Sequence, residues 1–271
     1  MNRVVPMISA EWLKLRKRRG LFWFSLFLIV GSVILANAIE TAYHLSNSVK
    51  YGPAGGAGGL MNSVTLFGIT SALAAILVGA AAGAQDVEAG VFRNLVATGQ
   101  SRLRLALVRI PGGLLMLAPM LIVGWALEVG ASFALAAGTP TPDATTLLVT
   151  LGWLMAIGLL NFTVALGLAA LLRSRAFAIG IMVAWELAGS RVINRIAQFG
   201  DWRALSSTVA TDRLVPGSSN MMRLGEGTCT APGVCTPDIV NVSITAALVV
   251  ILGWIVLFTA MGVWRTVTQD A

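Results

Sequence analysis

The sequence predicts an all-α integral membrane protein with six transmembrane helices and a further amphipathic helix at its N-terminus. Three observations carry that prediction. The chain is 56% hydrophobic and 11% charged, whereas soluble globular domains carry about 25% charged residues. Its apolar residues collect into long runs, each near the roughly 20 residues a helix needs to cross a hydrocarbon core about 30 Å thick. Its basic residues gather at alternate ends of those runs, as short cytoplasmic loops require.

Residues 1–271 read as a single transmembrane unit. Residues 4–19 come first. On a helical wheel Val4, Val5, Ile8, Trp12 and Leu15 share one arc, while Glu11, Lys14, Lys17 and Arg18 lie elsewhere on the circumference. This predicts an interfacial helix on the inner membrane surface, with Glu11, Trp12 and Lys14 at its centre. The basic start and the apolar run after it also have the outline of a signal peptide ending in Ala36-Asn-Ala38. The run is longer than the roughly 7 to 15 residues of such a segment, which favours a first span.

The spans are expected at 21–39, 60–84, 113–137, 145–172, 176–190 and 239–264. The third contains Glu128 and the fifth Glu186. Between spans one and two, the Gly-rich stretch from Tyr51 to Gly59 reads as a flexible outer loop. Residues 191–238 form a long, Arg-rich extracytoplasmic loop, in which Val192, Ile193, Ile196 and Phe199 recur at helical spacing and predict a partly embedded helix after span five. In the same loop Pro232-Gly233 is a turn former between Cys229 and Cys235, so a disulfide is expected there.

Placing the N-terminus inside puts thirteen of the nineteen Lys and Arg residues on the cytoplasmic side, including Lys14, Arg16 to Arg19, Arg93, Arg102 to Arg109, Arg173 and Arg175. Both termini are thus expected in the cytoplasm of a cell in whose plasma or inner membrane the chain resides. The net charge of +7 follows from this asymmetry and from contact with anionic lipid heads, not from nucleic-acid binding.

Several functions are disfavoured by composition. The three lysines, Lys14, Lys17 and Lys50, include none in the Gly-Lys-Ser/Thr context of a phosphate-cradling loop. The single histidine, His44, cannot supply a His-Glu-x-x-His metal site, and its outer loop is remote from any membrane-embedded serine. The chain reads as a non-enzyme that binds no cofactor or metal of its own.

Residues 86–101, between spans two and three, form a polar island on the cytoplasmic side. A helix there would align Val87, Val91 and Leu95 at i, i+4 and i+8, with Phe92 beside them and Glu88 and Arg93 on the flanks. Gly90 within it costs about 1 kcal/mol relative to Ala and predicts a bend or a close backbone approach. Gly99 reads as a helix stop and Ser101 as the N-cap of the next helix. From Arg102 that helix can run to residue 137, about 54 Å at 1.5 Å per residue, so it must begin in the cytoplasm. Pro111 marks an expected kink at the membrane entrance.

An acidic residue, then Gly90-Val-Phe-Arg93, then Leu95, then Ser101-Arg102 before span three resembles the cytoplasmic loop of type-2 ATP-binding cassette exporter permeases. The N-terminal stretch from Glu11 to Arg19 resembles that family's amphipathic helix before span one. Val91-Phe92 stands where the family more often has a small polar residue and a Leu. The resemblance implies a cytoplasmic coupling helix formed around Val87, Glu88, Gly90, Val91, Phe92, Arg93 and Leu95, with Arg102 at the base of span three. It also implies short re-entrant helices within residues 191–238, two separate ATPase subunits that bind ATP and Mg, a second copy of this permease or a homologous one, and surrounding lipids as partners.

Glu128 and Glu186 lie at depths where an ionised carboxylate is expensive and a functional role is the default. Either could bind a cationic substrate, titrate during transport, or pair structurally with Arg191, Arg195 or a serine. Asn37, Asn62 and Asn161 are interhelical hydrogen-bond candidates, and Asn161 joins the two acids as a candidate for the substrate path. Gly79 and Gly83 form a GxxxG pattern whose partner helix, within or between subunits, is open. A competing function is an ion-coupled secondary transporter or channel using Glu128 and Glu186. It would be favoured by an inverted repeat, and residues 1–137 and 145–271 show none.

Overall fold

The computed structural model describes residues 4–97, 99–231 and 234–268, without the side chains at 93, 197, 223 and 225–237. Helix α1 (Val4–Arg16) leads to α2 (Arg19–Ser46), α3 (Gly56–Glu88), α4 (Phe92–Ala97), α5 (Arg102–Ala134), α6 (Ala144–Leu172) and α7 (Arg175–Ala184). A π-turn, Trp185–Gly189, carries α7 into α8 (Ser190–Asn194); a 3-10 segment, Ala197–Leu205, and α9 (Ser207–Arg213) follow. Strands β1 (Met221–Ala231) and β2 (Val234–Asn241) form an antiparallel hairpin before the closing helix α10 (Ile244–Thr268).

Among the described residues, six helices are long and apolar enough to cross a membrane: α2, α3, α5, α6, the joined run Arg175–Asn194, and α10. The chain is an α-helical multi-pass membrane protein. One end of the bundle carries α1, the α3–α5 connection and the close of α10; the opposite end carries the hairpin.

The helix limits have local causes. The Ser101 Oγ accepts the Arg104 N–H (3.4 Å) and the Asp143 Oδ1 accepts the Thr146 N–H (3.0 Å), capping α5 and α6. Helix α5 runs through Pro111 and Pro119 without ending, and its 33 residues make a rod about 50 Å long at 1.5 Å per residue. The sixth span starts later than position 239, because Ile239 pairs with Arg223 and Asn241 with Met221 in the hairpin. The Ser243 Oγ then accepts the Ala246 N–H (3.1 Å), a cap that starts α10.

Helices α3 and α6 form the centre. A Cβ on Gly79 would lie 2.2 Å from the Phe162 carbonyl oxygen, and one on Gly83 would lie 2.3 Å from that of Leu166. The GxxxG pattern therefore packs against α6 of the same chain, and its missing side chains permit that backbone approach. Gly167 repeats the device on the other side of α6, where its Cβ would lie 2.1 Å from the Phe258 carbonyl oxygen of α10.

Helix α1 docks on α5, where a Cβ on Gly112 would lie 2.6 Å from the Glu11 Cβ. Its buried positions are Glu11 and Leu15, whereas Val4 and Val5 are exposed. The apolar arc read from the sequence is thus only partly the packed face, because Glu11 finds its partner in Lys14 (2.6 Å).

The segment after α8 folds back onto the bundle. The indole N–H groups of Trp153, Trp185 and Trp254 donate to the Thr211 carbonyl (2.9 Å), the Ser207 hydroxyl (3.1 Å) and the Leu205 carbonyl (2.9 Å). Val192, Ile193, Ile196 and Phe199 are divided among short helical pieces rather than one helix. Helix α8 ends at Asn194, and Gly200, at φ +49°, interrupts the 3-10 segment. Two arginines of this loop are buried staples. Arg203 holds Asp238 through two bonds of 2.5 and 2.9 Å, and Arg213 donates to the Val242 carbonyl (2.9 Å) and the Asn220 side chain (2.5 Å). Cys229 and Cys235 are backbone partners across the hairpin. Their side chains, and with them the expected disulfide, lie outside the described residues.

Candidate functional site

At the end bearing the termini, charged side chains join four helices. Asp86, 4% exposed, accepts from the Lys14 ammonium (2.8 Å) and from the Arg109 guanidinium (3.0 Å). Arg109, 2% exposed, also donates to the Gly83 carbonyl (3.1 Å), and its guanidinium lies 5.9 Å from the centre of the Phe92 ring. Lys14 bridges to Glu11 on its own helix. Helices α1, α3 and α5 thereby share one ionic node. Two charges taken from water are held only when such geometry and extra hydrogen bonds offset their desolvation.

The neighbouring Glu88 closes α3 and reaches α7. It accepts from the Arg175 backbone N–H (2.6 Å) and forms an ion pair with the Arg175 guanidinium. The Arg102 guanidinium, expected simply at the base of the third span, donates to the Val267 carbonyl near the end of α10 (3.2 Å).

The polar island is divided at Gly90, the position where the sequence places a bend. Helix α3 ends at Glu88, Gly90 adopts φ +67° and α4 begins only at Phe92. The Val91 N–H returns to the Asp86 carbonyl (3.0 Å), which folds the turn back under α3. Val87 is therefore not in line with Val91 and Leu95, and the expected ridge does not exist as one stripe. Phe92 points inward at 4% exposure beneath Arg109, and Val91 is 41% exposed. The Arg93 side chain lies outside the described residues. Sequence reasoning missed Arg109 and Arg175 as partners. The one legible sign was an arginine at 109 placed well inside a helix already turning apolar.

The three membrane-depth candidates separate from one another. Glu128, 1% exposed, accepts from the Ser63 hydroxyl and the Asn37 amide (3.1 Å), so it ties α5 to α3 and α2 in a closed interior. Asn161 donates to the Ile157 carbonyl of its own helix (3.2 Å) and lines an apolar cavity of about 220 Å³ with Trp185, Trp254 and Phe258. Glu186 sits in the π-turn and lines a different cavity, polar and about 360 Å³, near the hairpin end.

That polar cleft gathers Glu186, Arg191, Asn194 and Asp212 beside Trp153. Asp212 stands on α9, in a loop whose folding the sequence did not disclose. Local desolvation at the cleft wall pushes the carboxyl up from the ordinary carboxylate range, against the pull of Arg191. The arrangement can hold a cation or exchange a proton. No family model matches this chain, and no curated protein matches it.

Proposed function

We propose that the chain is the permease subunit of an ATP-driven exporter, paired with a second permease and powered by two separate cytoplasmic ATPase subunits that hold ATP and Mg. The observation that carries this reading is the ionic node of Lys14, Asp86 and Arg109 directly behind the Gly90 turn and α4. A load on α4 from a cytoplasmic partner passes through Asp86 and Arg109 into α5, a rod longer than the membrane is thick. Through Glu88 and Arg175 the same load reaches α7, and α7 leads into the π-turn with Glu186. The docking surface is then the exposed part of the turn and α4, with Glu88, Gly90, Val91 and Leu95, while Phe92 supports it from within.

The test is co-purification followed by coupling measurements. An ATPase pair should accompany the permease, and Glu88→Ala and Gly90→Pro should leave it in the membrane while separating ATP hydrolysis from transport. Transport that persists without any ATPase, or unchanged coupling in both variants, sinks this reading. The position of Glu186 in a water-accessible cleft favours a second reading, an ion-coupled transporter. In that case an imposed ion gradient alone would drive uptake or efflux, and Glu186→Gln would stop it. The second reading also uses Glu128, which is enclosed and accepts from the Ser63 hydroxyl and the Asn37 amide.

A further inference from the structure

The polar cleft holds charged groups that the fold leaves unused. The carboxylates of Asp86, Glu88 and Asp238 each form an ion pair, and Glu128 accepts two side-chain hydrogen bonds. Glu186 and Asp212 share one cleft, and among the described residues neither side-chain carboxylate has a hydrogen bond or an ion pair within 4.0 Å. Arg191 acts on both only through space.

A second observation is independent of those acids. Asn194 lines the same cleft and is 7% exposed. Its amide N–H donates to the Thr208 hydroxyl (3.1 Å), and its Oδ1 has no partner. A buried acceptor left unpaired is unfavourable, and native structures keep few of them without a purpose. The π-turn is a third feature. Such single turns recur at functional sites, and this one sends consecutive residues to two cavities, Trp185 to the apolar one and Glu186 to the polar one.

We propose that this cleft binds the primary ammonium head of an amine. An ammonium group offers three N–H donors and no acceptor, and the carboxylates of Glu186 and Asp212, which no other side chain holds, supply the acceptors. When both carboxylates are ionised they outnumber the single Arg191 by one charge, which the cation neutralises. Trp153 lines the same cleft and gives the carbon chain next to the nitrogen an apolar wall. As the substrate site of a transporter the cleft rests on the reading above; as a binding site it stands without it.

The experiment is equilibrium titration of n-hexylamine into the purified full chain in phosphatidylcholine nanodiscs, with no ATPase present and empty nanodiscs as reference. Saturable binding at one site per chain is expected, at least tenfold weaker in Asp212→Asn, a near-isosteric change at a water-accessible position, and similarly weaker in Glu186→Gln. Hexyltrimethylammonium, with the same charge and no N–H donors, should bind at least tenfold more weakly. Absence of saturable binding, equal binding of the quaternary amine, or wild-type binding in Asp212→Asn each overturns the proposal. Binding without stimulation of the assembled transporter retains the site and removes only its role as a substrate site.

Discussion

The two ends of this bundle handle charge in opposite ways. At the end bearing the termini, the acids at the α3–α4 junction have found partners: Asp86 holds Lys14 and Arg109, and Glu88 holds Arg175. Near the hairpin end, Glu186 and Asp212 line a cleft with no ion pair between them and Arg191, while Arg203 and Arg213 close around other groups. A paired, buried charge ties helices together, and an unpaired charge in a cleft is available to something that is not part of the chain. On the readings proposed above, one end carries mechanical continuity and the other recognition.

The sharpest way to break that contrast is to remove a paired charge. Asp86→Ala leaves Arg109 buried and uncompensated, and loss of one partner from such a node costs about 3–5 kcal/mol. A large fall in thermal stability, or loss of the protein from the membrane, is the expected result in detergent melting and expression assays. Wild-type stability would mean that the node holds nothing together.

A smaller effect is expected at the neighbouring pair. Glu88 and Arg175 have side chains 25% and 40% exposed, so water screens them, and pairs of this kind contribute about 0–1 kcal/mol. Glu88→Ala should therefore melt nearly as wild type while altering coupling to an ATPase. A melting loss as large as that of Asp86→Ala would make Glu88 a structural residue like its neighbour.

The smallest stability effect belongs to the cleft. Because the Asp212 carboxyl is raised in the folded chain, the folded state binds more protons than the unfolded one between the ordinary carboxylate range and that raised value. Stability from this group is thus greatest below the ordinary range and declines as pH rises through the raised value. Asp212→Asn should flatten that part of the stability profile and leave the protein at least as stable at neutral pH. A profile unchanged by the substitution would show that the carboxyl is as well solvated as an exposed one.

The positions at which the sequence was legible are those ruled by local chemistry. Ser101 caps α5 because a hydroxyl beside free N–H groups bonds to them wherever it stands, and Gly90 and Gly99 take positive φ because nothing else does so readily. The positions that were illegible depend on what folds against them. Val87, Val91 and Leu95 have helical spacing, yet the turn at Gly90 rotates Val87 out of line. Val192 to Phe199 also have it, and the chain instead breaks at Asn194 and Gly200 to let Trp153, Trp185 and Trp254 reach its carbonyl and hydroxyl groups. Arg203 and Arg213 belong to the Arg-rich outer loop in the sequence, which does not reveal that the fold buries them.

Hydrophobic run length and the distribution of charge determined, without coordinates, that this is a six-span α-helical membrane protein. In a hydrocarbon core every backbone polar group must be satisfied within its own segment, so composition alone decides where helices stand. Which helix Gly79 and Gly83 touch, which acid is tied and which is free, and where the π-turn aims Glu186 were decided only by tertiary structure. Those outcomes depend on contacts between residues far apart in the chain, and a carboxylate carries no mark in the sequence of whether a guanidinium will arrive beside it.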